Sequence, residues 1–138
     1  MQLDTPFPDL RVFKEELGNK MSISKPLMRD IENYSRFLRL IKIYPYLRAV
    51  PTKSIDLIWH YHLSDYHLYA RDCLAYFGYM IRHVPSTKKE QHRAQILMYM
   101  HTKQLWMNVY QDELGSLSQM AFCGISGGDD GNDDGGKD

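Results

Sequence analysis

SIDLIWHYHLSDYHLYARDC, residues 54–73, gathers His60, His62 and His67, Asp56, Asp65 and Asp72, Trp59, three tyrosines and Cys73 within twenty positions. Apolar residues are spaced among them so that the stretch must also form part of a core. Ser54 reads as a helix cap, with Asp56 in the first turn, where the helix dipole favours an acid. This helix is expected to end near His62 or Leu63. Ser64 and Asp65 can then cap a second helix carrying Leu68, Tyr69, Cys73, Tyr76, Phe77 and Met80 on one broad side. Gly78 interrupts it, and His83, Val84 and Pro85 close the segment.

Upstream, Ser24 and Pro26 mark a helix start. Leu27, Ile31, Tyr34, Leu38 and Ile41 then recur at three or four residues as far as Ile43, and Pro45 stops the run. A shorter helix is expected over residues 10–17, closed by Gly18, after a proline-containing lead-in that lies on the surface or across a groove. Residues 44–53 read as a loop built on Pro45 and Pro51. Downstream, Ser86 opens a last helix with Ala94, Leu97, Met98, His101, Leu105 and Val109 as its inner stripe and Gly115 as its stop. No strand pattern competes with these helices. The expectation is an all-α domain over residues 1–115, a compact bundle of four or five helices, followed by a flexible, disordered Gly/Asp-rich C-terminal tail over residues 116–138.

At 138 residues and 43% apolar content, the chain can form one core without disulfides. Its formal charge is zero, but five aspartates and one lysine fall in the last ten residues, leaving sixteen basic and twelve acidic side chains before them. The basic residues are dispersed rather than arranged in a stripe with exposed aromatics, so the nucleic-acid signal is weak. MQLDTPFPDL has no apolar signal region, and no run approaches the roughly 20 apolar residues of a membrane span. Cys73 and Cys123 form neither a disulfide framework nor a zinc-knuckle spacing, which points to a reducing, cytoplasmic setting. DGNDDG, residues 130–135, imitates the start of a calcium loop but lacks its twelfth-position glutamate and flanking helices.

The chemistry centres on the histidines. Asp56 and His60 lie four apart on one helix face, where the carboxylate can orient the ring or act as a ligand itself. His62 is about 200° further round the helix and joins them only if the helix ends or distorts there. Cys73 and His83 require a tertiary fold to return to that helix. The set Asp56, His60, His62, Cys73 and His83 would suit zinc, and copper or iron accept similar donors. Two other readings stand beside it. The cluster is a structural polar knot in an interaction module that works through a protein partner, or His60 and Cys73 form a base and nucleophile in an enzyme.

The segments YSRFLRL, IDLIWHYHL, DYHLYARDC and FGYMIRHVP resemble bacterial relatives of the glycine-rich domain-containing protein family over residues 30–110. Asp56, Trp59, His60, His62, Tyr69, Cys73, Phe77, Gly78, His83 and Pro85 carry the resemblance. Arg82 departs from it, standing where a second histidine often precedes the matching one, and so does the LSD run after His62. The resemblance implies that the polar residues form one cluster and that the glycine-rich end is a family habit. It implies no settled enzymatic activity.

Overall fold

The computed structural model describes residues 3–85, 88 and 91–125. Among these it contains five α-helices, α1 (Arg11–Lys20), α2 (Lys25–Ile43), α3 (Lys53–Ser64), α4 (Tyr66–Tyr76) and α5 (His92–Tyr110). It also contains two short strands, β1 (His83–Pro85) and β2 (Cys123–Ile125), and a 3-10 turn over Leu117–Gln119. The chain is therefore mostly helical, with a two-stranded sheet that the alternation in sequence did not suggest. No helix among the described residues is long and apolar enough to cross a membrane. Ser86 as a helix start, the DGNDDG stretch and the tail beyond residue 125 lie outside the described residues.

Helix α2 forms as its periodicity requires. The Ser24 hydroxyl accepts from the Leu27 amide at 3.2 Å, Pro26 sits in the first turn, and Ile31, Tyr34, Leu38 and Ile41 are buried. Its main packing partner is α3, which buries Ile55, Ile58 and Trp59, and α4 adds Leu68, Tyr69 and Cys73. Asp65 caps α4 by accepting from the Leu68 amide at 3.2 Å. The lead-in crosses the domain and is held by buried Arg39, whose Nε donates to the Thr5 carbonyl at 2.6 Å and whose guanidinium also reaches the Leu3 carbonyl.

Several boundaries differ from the sequence reading. Thr52 rather than Ser54 caps α3: its backbone is extended and its hydroxyl accepts from the Ile55 amide at 3.3 Å. Helix α1 runs through Gly18 to Lys20. Helix α5 ends at Tyr110, and Gln111, in the left-handed conformation, rather than Gly115 is its stop. The stripe of α5 is also rotated: Gln95, Tyr99, Thr102 and Trp106 are buried, while Leu97 and His101 face solvent. Two polar residues win the interior because the loops packed on α5 need backbone partners. Thr102 Oγ1 accepts from the Val50 amide at 3.1 Å, and the Gln95 amide donates to the carbonyls of Ala121 and Cys123 at 3.1 and 2.6 Å.

Residues 116–125, assigned to the tail from composition, pack onto the helices. The Ala121 amide donates to the Pro51 carbonyl at 3.0 Å, Met120 bridges to Thr52, and the Ile125 amide donates to the Ala49 carbonyl at 3.2 Å. Strand β2 then pairs antiparallel with β1, His83 opposite Ile125 and Pro85 opposite Cys123. Gly124 lies so close to the 49–50 loop that a Cβ there would stand 2.9 Å from the Ala49 carbonyl oxygen. Gly124→Ala is expected to lose about 1–3 kcal/mol of stability by forcing these two backbones apart. Chemical denaturation would register it, and an unchanged midpoint would mean that the strand yields to the added methyl without loss.

Candidate metal centre

Starting α3 at Thr52 puts Asp56 in its first turn and His60 one turn later on the same face. His60 Nε2 lies 3.2 Å from Asp56 Oδ2. The other carboxylate oxygen, Oδ1, accepts from His83 Nε2 at 2.7 Å and from the Cys123 thiol at 2.8 Å. His83 comes from β1 and Cys123 from β2, so the small sheet delivers both side chains to the start of α3. Gln95, which accounts for the rotated face of α5, anchors the Cys123 carbonyl from behind.

The cluster has a dry side and a wet side. His83 and Cys123 are buried, and the Trp59 ring stands edge-on to His83 with centroids 4.6 Å apart. The His60 side chain is 35% exposed and that of Asp56 22%. Burial pushes the Asp56 carboxyl up, but the hydrogen bonds from His83 and Cys123 and the neighbouring imidazoles outweigh it, so its pKa falls below the ordinary carboxylate value. Asp56 is thus held as an anion facing a thiol and an imidazole.

One donor atom from each of Asp56, His83 and Cys123 lies within 4.8 Å of the other two. Ligands on a tetrahedral ion with bonds of about 2.0–2.3 Å stand roughly 3.3–3.8 Å apart. The present 2.7 and 2.8 Å contacts are hydrogen bonds, so an ion replacing their protons would open the group by about 1 Å or less. An oxygen, a nitrogen and a sulfur donor form a set that borderline cations accept. These residues fit a metal.

Of the residues singled out from sequence, Asp56, His60 and His83 are brought together, whereas His62 and Cys73 go elsewhere. Helix α3 continues regularly to Ser64 instead of breaking at His62, which leaves His60 and His62 on different faces. His62 is buried against α1, α2 and α4. The Tyr34 hydroxyl contacts its Nδ1 at 2.7 Å, Nε2 lies 2.8 Å from Asp72 Oδ2, and the Phe13 ring stacks on it at 4.4 Å. Burial raises the Tyr34 phenol far above its ordinary value, so Tyr34 is the donor. Nδ1 accepts, and Nε2–H donates to Asp72. Burial also lowers the His62 pKa against the opposing pull of Asp72, in keeping with this neutral tautomer.

Cys73 is buried beside Tyr69 and the Ile81 carbonyl, and burial pushes its thiol up, the reverse of an activated nucleophile. The residue that sequence reasoning missed is Cys123, 67 positions from Asp56. Its one signal was the apolar MAFC run just before the glycine-rich stretch, where composition turns from core-like to tail-like.

Residues 14–72 match the family model described as glycine-rich domain-containing protein-like. The matched segment holds Asp56, His60 and His62 and stops before Cys73, His83 and Cys123. No curated protein matches the chain, and no solved structure does.

Proposed function

From the match of residues 14–72 to the glycine-rich domain-containing protein-like family, which includes the α3 half of the cluster, we propose that this chain is a small helical metal-binding protein. Its centre is formed by Asp56, His83 and Cys123, with His60 beside them. The supporting observation is that three different donor types, drawn from a helix and two strands far apart in sequence, converge within 4.8 Å. Zinc suits this set best because it takes nitrogen, oxygen and thiolate ligands without redox chemistry. Binding would release the Cys123 thiol proton and require the His83 tautomer with its proton on Nδ1. A reducing cytoplasmic setting fits a centre that needs a thiol, and neither Cys73 nor Cys123 forms a disulfide.

Elemental analysis of untagged protein prepared without chelators tests the reading. Near-stoichiometric metal is expected in the native chain and in Cys73→Ala. At least a tenfold loss of occupancy is expected in Cys123→Ser and His83→Gln, since each removes a ligand. Retention in both ligand variants, or folded native protein without metal, would defeat the proposal.

A non-enzymatic interaction module is the second reading, favoured by the exposed apolar side of α5 at Leu97, Met100 and Met107. A shallow apolar cleft formed by Ile43, Pro45, Tyr46 and Leu105 adds to it. Metal-free protein that remains folded would turn attention to a protein partner on that surface.

A further inference from the structure

The centre is walled on one side only. His83, at 2% side-chain exposure, is backed by Trp59, and Cys123 is buried under Gln95, whereas solvent meets the group at Asp56 and His60. The Asp56 carboxylate divides its two oxygens between these sides. Oδ1 faces the sulfur and nitrogen donors, and Oδ2 faces His60. His60 is not one of the three residues whose donor atoms lie within 4.8 Å of one another; its ring stands edge-on to that of His83 with centroids 4.6 Å apart, and its Nε2 meets the Asp56 oxygen that His83 and Cys123 do not use. An imidazole placed this way orients a carboxylate ligand. Three protein ligands with one solvent-facing vertex also distinguish reactive zinc centres from structural ones, which are closed by four.

Resting on the metal reading above, we propose that a metal held by Asp56, His83 and Cys123 keeps its fourth position open to a solvent-derived or small monoanionic ligand. His60 is a positioning residue that fixes Asp56 and borders the open position. The site therefore takes an exogenous ligand, as a hydrolytic or anion-activating centre does, and is not a closed structural clasp. Its approach is from the His60 side, since the opposite side is filled by Trp59 and the sheet.

Cobalt(II) substitution separates this inference from the reading beneath it. Metal-free full-length protein would be titrated with Co2+ while the thiolate-to-cobalt absorption and the d–d envelope are followed. The expected outcome is one ion per chain, a thiolate band lost in Cys123→Ser, and a d–d envelope that shifts when azide is added. His60→Gln should retain the thiolate band and the azide-induced shift, because His60 is not a ligand. An envelope that ignores azide in the native protein but responds in His60→Gln would place His60 in the fourth position and overturn the inference. Indifference to azide in both proteins would overturn it as well. Absence of any thiolate band in the native protein would instead remove the metal centre itself, a different failure with a different signature. Circular dichroism on each variant would establish that it is folded.

Discussion

His62→Ala is expected to destabilise the fold by about 3 kcal/mol or more, although His62 lies outside the cluster of Asp56, His83 and Cys123. The substitution empties a fully enclosed site, strips the Tyr34 hydroxyl of its acceptor, takes from Asp72 its buried donor and removes the ring on which Phe13 stacks. An unsatisfied buried hydroxyl alone costs about 1–3 kcal/mol. Tyr34→Phe should therefore lose less than His62→Ala, because it deletes a donor without opening a cavity. Urea denaturation of both variants, with metal content measured alongside, would check this. A His62→Ala protein as stable as the native chain would mean that the Tyr34, His62 and Asp72 chain does not hold the helices together.

The same residue gives a pH dependence whose sign follows from burial. Its folded pKa is lowered, so the unfolded chain binds the proton more readily in the interval between that value and the usual one near 6.5. The stabilisation is fully present above about 6.5 and is lost as pH falls through the folded value. Asp56 acts in a lower window. Its depressed pKa contributes stability above the ordinary carboxylate value, near 3.8, which is lost on further acidification. Denaturation midpoints measured from neutral pH downward should show an early decline that is absent in His62→Gln. If that decline persisted in the variant, another group would be its source.

Trp59→Ala is expected to have an effect of similar size, about 3–5 kcal/mol, and to reach both polar clusters. The indole is fully buried, packs against Phe37 and His83, and donates from Nε1 to the Tyr69 hydroxyl at 3.0 Å. Tyr69 in turn donates to the Ile81 carbonyl, two residues before His83. Removing the ring takes away the wall that sets the His83 imidazole and loosens the turn leading into β1. Trp59→Phe should recover much of the packing but not the hydrogen bond. Calorimetric unfolding with and without added zinc is the measurement. If metal affinity were untouched in Trp59→Ala while stability fell, the indole would be a core residue with no bearing on the centre.

Much of this was legible in the sequence because it depends on residues close together along the chain. Ser24, Asp65 and the stripe from Ile31 to Ile41 act within one or two helical turns, and their caps and buried faces occur where the spacing puts them. Asp56 and His60 are a local pair for the same reason. Helix α5 was misread on its inner face because hydrophobicity alone ranks Leu97 above Gln95. The interior position went to the residue able to satisfy the carbonyls of Ala121 and Cys123. That preference depends on loops contributed by other parts of the chain, which no periodicity within α5 encodes.

By itself, then, the sequence determined the helical class, the order of the helices and the pairing of Asp56 with His60, all set by interactions over three or four residues. Only the tertiary structure decided that His62 and Cys73 belong to a core network and that Cys123 joins Asp56 and His83 in one cluster. The physical reason is the antiparallel pairing of two three-residue strands, too short to announce themselves. That pairing brings residues 83 and 123 to one carboxylate through backbone hydrogen bonds that no side-chain pattern records.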